Sequence, residues 1–180
     1  LGCGNKIKRG YINIDLNKNA ELRLDLRKAL PFNNESISFI YSEHFFEHLN
    51  YTDSTAIHCL MDYKRILKNG GKLRFAIPNM EKVFDAYVRR NLDFFKKIDI
   101  KKKIPQSKRF ATLIDYVNYG VYQFGDHKYS YDYEKMNSLL RSIGFRKIKR
   151  DEFNPNLDSI ERKESSFYIY QTKVPKKGHR

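Results

Sequence analysis

Gly2-Cys3-Gly4, Asp15, the pair Asp25-Leu26 and the run from Ser42 to His48 have types and spacings that could carry chemistry. Two glycines around Cys3 let bare backbone approach a ligand, although a G-x-G pair alone also serves as an ordinary turn. This pair is not a dinucleotide fingerprint, because Lys6, Ile7 and Lys8 stand where a third glycine and a helix belong, and the chain has no P-loop. Asp15 follows Gly4 by eleven positions, at the end of a predicted strand. The two oxygens of a carboxylate there match the two hydroxyls of a ribose diol. At Asp25-Leu26 a carboxylate could accept from an exocyclic amine while the next backbone N–H donates to a ring nitrogen, so that together they would read an adenine edge. For each acid taken singly, a solvated strand-end position is the other reading.

His44-Phe45-Phe46-Glu47-His48 fits H-x-x-E-H, the inverted zinc-peptidase pattern. On one helix the two imidazoles would share a face and could ligate zinc, with Glu47 as base. The run directly follows a strand end, however, and Asn50-Tyr51-Thr52 opens a new helix just after it. A third ligand is not apparent from the sequence, so no residue is assigned to a metal. The remaining readings are two histidines packed inside a loop, or a His44 that faces substrate. His127, in Phe124-Gly125-Asp126-His127-Lys128-Tyr129, is the next histidine of interest and reads otherwise as a surface loop residue.

The elements that must position these groups follow from periodicity. Residues 11–16, 21–24 and 36–41 alternate as strands. Thr52 or Asp53 caps a helix that runs to about Lys68, with Ile57, Leu60, Met61 and Leu67 at helical spacing, and Asn69-Gly70-Gly71 stops it. Lys72–Ile77 is the clearest strand and Pro78 closes it. Residues 80–100 read as one helix and 101–109 as a basic surface loop, whereas 116–133, rich in Tyr and Gly, gives no clear period. A helix over 133–142, strands over 145–150 and 166–172, and a fraying basic tail over 173–180 complete the chain. The order predicts an α/β fold with a largely parallel sheet.

With 180 residues the chain fits one domain, and 41% hydrophobic and 14% aromatic residues suffice for a core. No apolar run approaches the roughly 20 residues that span a bilayer. Two cysteines exclude a disulfide scaffold and a multi-cysteine zinc module. No charged leader or apolar signal core precedes the glycines, which points to the cytoplasm, and a short apolar strand is expected upstream of the Gly turn. The net charge of +14 is compatible with an anionic partner. Lysines and arginines cluster at 96–97, 101–103, 108–109, 146–150 and 176–177. With the nearby tyrosines they could form an RNA groove, or simply a solvated surface.

Taken together and in order, LGCG, INIDL, DLRKALPF, FIYSEHFFEHL and RILKNGGKLRFAIPN resemble the class I S-adenosylmethionine-dependent methyltransferases. The closest likeness is to small predicted methyltransferases with a YSEH-x-x-EHL segment. The match is dense over 1–79 and thinner later, at Leu139-Leu140-Arg141-Ser142-Ile143-Gly144-Phe145. The resemblance implies a Rossmann-like sheet with an antiparallel C-terminal strand, S-adenosyl-L-methionine as cofactor and S-adenosyl-L-homocysteine as product. It places Gly2, Cys3 and Gly4 under the methionine part, Asp15 with Leu16 at the ribose, Asp25 and Leu26 at the adenine, and Ser42 and Glu43 beside the donor methyl. Residues 80–133 become an acceptor-side lid. His44 is the first candidate for a base and His127 the second, because an unperturbed imidazole takes up a proton near neutrality. The helices expected between the first three strands have no room, since parallel strands usually need a crossover of a dozen residues. One sheet face should therefore be poorly covered, or covered by a second copy in a homodimer. The leading acceptor is a small molecule or glycan. The alternatives are RNA and a non-catalytic cofactor-binding protein.

Overall fold

The computed structural model describes residues 1–98 and 108–175. Two sheets form. A short parallel ladder joins β1 (Ile14–Asp15) to β2 (Leu22–Arg23). The main sheet contains β3 (Ile37–Glu43), β4 (Leu67–Pro78), β5 (Arg146–Asp151) and β6 (Ser166–Thr172) in the order β3-β4-β6-β5. β3 runs parallel to β4, whereas β6 is antiparallel to both β4 and β5. The antiparallel C-terminal strand is therefore present, and no helix lies between the first three strands.

Alternation along β4 sorts its side chains between two unlike faces. Leu73, Phe75 and Ile77 join one core with α1 (Thr55–Ile66) and α5 (Tyr133–Ser142). From α1 this core receives Ala56, Cys59, Leu60, Tyr63 and Ile66, at helical spacing, and from α5 Met136, Leu139 and Leu140. Asp132 caps α5 by accepting the Lys135 N–H at 2.7 Å. On the opposite face Arg74 is buried, its side chain only 2% exposed. Its Nε donates to Asp151 at 2.8 Å and its Nη2 to Asp158 at 2.8 Å and to the Glu152 carbonyl at 2.7 Å, while Nη1 also reaches Asp158. The Tyr41 hydroxyl and the Asn154 N–H add donors to the same Asp158 carboxylate. The 151–158 segment is thereby fastened across this face of the sheet.

α2 (Met80–Val88), α3 (Leu92–Ile98) and α4 (Leu113–Tyr122) contribute to a second, smaller core of Met80, Val83, Ala86, Phe95, Ile98 and Val117. The single helix expected over 80–100 is divided here at Arg90, whose φ of 50° is left-handed. Residues 99–107, including most of the predicted basic loop, and 176–180 of the predicted tail lie outside the described residues. The irregular 116–133 stretch resolves into the end of α4 and a 3-10 turn at Gln123–Gly125. α1 stops at Ile66, two residues early, because Leu67 already belongs to β4. Asn69-Gly70-Gly71 therefore acts as a bulge in that strand, where pairing shifts between Ile37 and Phe39, rather than as a helix stop. Met61, at an apparent core position, is exposed. The first two strands are shorter than alternation suggests, and Ile12, Leu16 and Leu22 are exposed there, as expected of a face without helices.

Because Arg74 balances two buried or half-buried carboxylates, removing it strands their charge. Arg74→Met is expected to cost about 3–5 kcal/mol in urea denaturation, and Arg74→Met combined with Asp158→Leu to recover most of that loss. Equal losses in both variants would show that Asp158 is not the principal partner.

Candidate functional site

Leu1 and Gly2 link the two sheets: the Leu1 amino group donates to the Tyr41 carbonyl at 2.7 Å and the Gly2 N–H to the Ile14 carbonyl at 2.9 Å. Gly2 has a φ of +66°, and a Cβ there would stand 2.4 Å from the Phe45 ring, so the site requires glycine twice over. The Gly4 N–H donates to Asp15 Oδ2 at 2.8 Å, and the Asn17 N–H to Oδ1 at 2.8 Å. Each oxygen retains a second lone pair. Leu1–Gly4, Asp15, Glu43 and His44 line one cavity of about 570 Å³, which extends along β3.

Other expected cofactor residues are not on that wall. Asp25 closes a two-pronged ion pair with Arg27, at 2.8 and 2.9 Å, and this contact lowers its pKa to about 2. Leu26 is buried in the main core, its carbonyl accepting the Cys59 thiol. Leu16 is exposed on the bare ladder. Ser42 and Glu43 are neighbours on a strand and so point to opposite faces: Ser42 is buried and absent from the cavity lining, whereas Glu43 reaches it. Glu43 accepts the Ser159 N–H at 2.8 Å and the Ser159 hydroxyl at 2.7 Å, and its carbonyl accepts Arg162 Nη1 at 3.1 Å. It thereby holds the 159–162 turn at the mouth. Burial and Asp15 raise the Cys3 thiol pKa, which disfavours a nucleophilic thiolate.

A second cavity of about 380 Å³ is lined by Asn79, Met80, Tyr116, Tyr119 and His127 among others. His44 and Arg162 line both cavities. His44 has a left-handed backbone, φ 50°, fixed by its N–H to the Ala76 carbonyl and by a 2.7 Å bond between Nε2 and the Ser166 hydroxyl. His127 comes from the far side, where the Lys128 N–H binds the Glu47 carbonyl at 2.8 Å. The two histidines converge on Glu47: His44 Nδ1 is 3.8 Å and His127 Nε2 3.9 Å from Oε1. Burial holds His44 well below the usual histidine range and His127 at about 4. Free proton uptake near neutrality, expected for both, is thus opposed by desolvation. Burial raises the Glu47 carboxyl to about 8. Sequence reasoning missed Arg162, which has no local motif and is bonded to the site through Glu43, whereas Tyr116 and Tyr119 belong to the tyrosines expected near His127.

No protein-family model and no curated protein matches the chain. Solved structures do. A SAM-dependent methyltransferase from Archaeoglobus fulgidus aligns with a TM-score of 0.53 at 14% identity, over 89% of this chain and 74% of that one. A complex between the Haloferax volcanii Trm112 methyltransferase activator and the protein assigned as its methyltransferase gives 0.51 at 13% identity, over 86% and 61%. A Bordetella parapertussis protein described as a possible exported protein gives 0.51 at 15%, over 86% of this chain but 44% of its own length. The chain thus spans less than two thirds of the length of two of these structures. The shared architecture is the Rossmann-like fold of SAM-dependent methyltransferases, here with a shortened N-terminal sheet. No helix among the described residues is long and apolar enough to cross a membrane.

Glu43→Ala removes both acceptors of Ser159. It is expected to cost about 1–3 kcal/mol and to speed amide exchange at Ser159 selectively, as measured by native-state hydrogen exchange. Unchanged exchange there would mean that Arg74 and Asp158 alone hold the turn.

Proposed function

We propose that this chain catalyses S-adenosylmethionine-dependent methyl transfer to a small-molecule or glycan acceptor. The observation that carries the reading is the Gly2–Gly4 turn bonded to Asp15 on the wall of a ligand-sized cavity, within a fold shared with SAM-dependent methyltransferases. The cavity fits the cofactor in volume, and Asp15 has lone pairs left for a diol. Asp25 and Leu26, expected at the adenine, are not among the residues that line this cavity. Tyr11 and Phe39, with ring centroids 6.1 Å apart, line the cavity and offer a flat base an aromatic wall. The bound cofactor would supply an already activated methyl group. The chain's own residues would then align the acceptor, which is the larger part of the work. The described residues of 80–133, namely 80–98 and 108–133, form the acceptor-side lid in this reading, and Tyr116, Tyr119 and His127 give it a surface suited to a polar ring.

Calorimetry with S-adenosylhomocysteine should show saturable binding, weakened by about 1–3 kcal/mol in Asp15→Ala and unchanged within about 0.5 kcal/mol in Asp25→Ala, the usual scatter of a surface change. Loss in Asp25→Ala but not Asp15→Ala would reverse the assignment. Labelled methyl transferred into a metabolite or glycan extract, indifferent to salt, supports the proposed acceptor class. Label in RNA that falls steeply with salt would replace it, and cofactor binding without any transfer would leave a non-catalytic protein.

A further inference from the structure

Of the five histidines, His44, His48 and His127 gather around one carboxylate. Glu47 is 2% exposed and neither of its oxygens has a hydrogen-bond partner. A buried carboxylate in that state is costly, and a native fold normally satisfies it. What surrounds Glu47 is a set of nitrogen lone pairs. His127 Nδ1 lies 2.9 Å from the Gly120 carbonyl, which can only accept, so Nδ1 carries the proton and Nε2 turns a lone pair toward Glu47 at 3.9 Å. His48 Nδ1 likewise faces the Asp126 carbonyl at 3.2 Å, leaving its Nε2 as the unprotonated nitrogen. One ligand atom each from Glu47, His48 and His127 lies within 4.8 Å of the others.

From this arrangement we infer a binding site for a divalent transition-metal ion, held by Glu47, His48 and His127 with His44 beside it. Lone pairs that face one another across a buried gap repel unless a proton or a metal ion lies between them, and at 3.9 Å the gap between His127 Nε2 and Glu47 Oε1 is too wide for one proton to bridge. Backbone carbonyls that fix the far nitrogens of two histidines are the usual outer support of imidazole ligands. Two ligand atoms on a tetrahedral ion, each about 2.0–2.1 Å from it, stand about 3.3–3.4 Å apart, so the pair His127 Nε2 and Glu47 Oε1 at 3.9 Å closes by roughly 0.5 Å and the set of three, spread over up to 4.8 Å, by up to roughly 1.4 Å on binding. Two or three imidazoles with one carboxylate suit zinc, cobalt or iron better than magnesium or calcium. The H-x-x-E-H run supplies its Glu and second His through the 3-10 turn Phe46–His48 rather than a long helix, and the ligand missing from the sequence pattern arrives from residue 127.

The site deepens the methyltransferase reading and rests on it only for its role. His44 and His127 line the acceptor-side cavity, which in that reading puts the ion beside the acceptor. That favours an acceptor bearing an oxygen able to ligate a metal, such as a hydroxyl or phenol.

The test is titration of the chelator-treated full chain with Co²⁺, followed by visible d–d absorption, and with Zn²⁺ by calorimetry. One ion per chain is expected, with affinity reduced at least tenfold in Glu47→Gln and in His127→Ala and unchanged in His58→Asn, a surface histidine. Burial already favours the neutral Glu47 carboxyl, so Glu47→Gln should fold as the parent does, which circular dichroism verifies. A folded parent chain that takes up no Co²⁺, or a Glu47→Gln variant that binds as the parent does, overturns the site. S-adenosylhomocysteine binding on the same samples separates the two ideas: metal without cofactor binding sinks the methyltransferase reading alone, and cofactor without metal binding sinks the metal site alone.

Discussion

The geometry of the site depends on a guanidinium buried where a helix would normally lie. Arg74 leaves the central strand on the face opposite α1 and α5, between the rings of Tyr41 and Tyr168 at 5.8 and 5.0 Å. Its desolvation is offset by Asp158 and Asp151, and such a cluster adds little net stability over an apolar equivalent. Its contribution is placement. Asp158 is drawn to Arg74, Ser159 follows into the grip of Glu43, and Arg162 then stands at the junction of both cavities. A loop pinned at a few polar points does the covering that a helix does elsewhere in this fold.

The same strand alternation explains the rest of the site. Tyr41 and Glu43 share the loop face, whereas Ile40 and Ser42 turn toward the helices. The two candidate cavities therefore meet only where β3 ends, at the left-handed His44. A non-glycine residue held there costs of order 1–3 kcal/mol, and it persists because Ser166 and the Ala76 carbonyl fix it from the neighbouring strands.

Much of this was legible in the sequence because it is local. β3, α1, β4, α5, β5 and β6 announce themselves by period and by caps such as Asp132, and Gly4 and Asp15 meet in one turn. The break at Arg90 was not legible, since no Gly or Pro marks it, nor was the early start of β4, where a bulge hides its period. Motif logic placed Asp25 and Ser42 by analogy, but Arg27 two residues away and the strand's own alternation decide where they point. The meeting of residues 44–48 with His127 is purely tertiary: it depends on Lys128 and Tyr129 bonding the Glu47 carbonyl, which no spacing encodes.

The two-residue ladder that carries Asp15 has a consequence for binding. Few backbone hydrogen bonds and exposed Ile12, Leu16 and Leu22 put it at the low end of local stability, where segments open well before the whole domain does. A ligand that needs Asp15 in place binds only the closed fraction, and its apparent dissociation constant rises by the reciprocal of that fraction. Substitutions at 18–21 that merely firm the turn, without adding a contact to the ligand, would then tighten binding. Affinity for any ligand held at Asp15 becomes a property of how often this corner of the protein is folded.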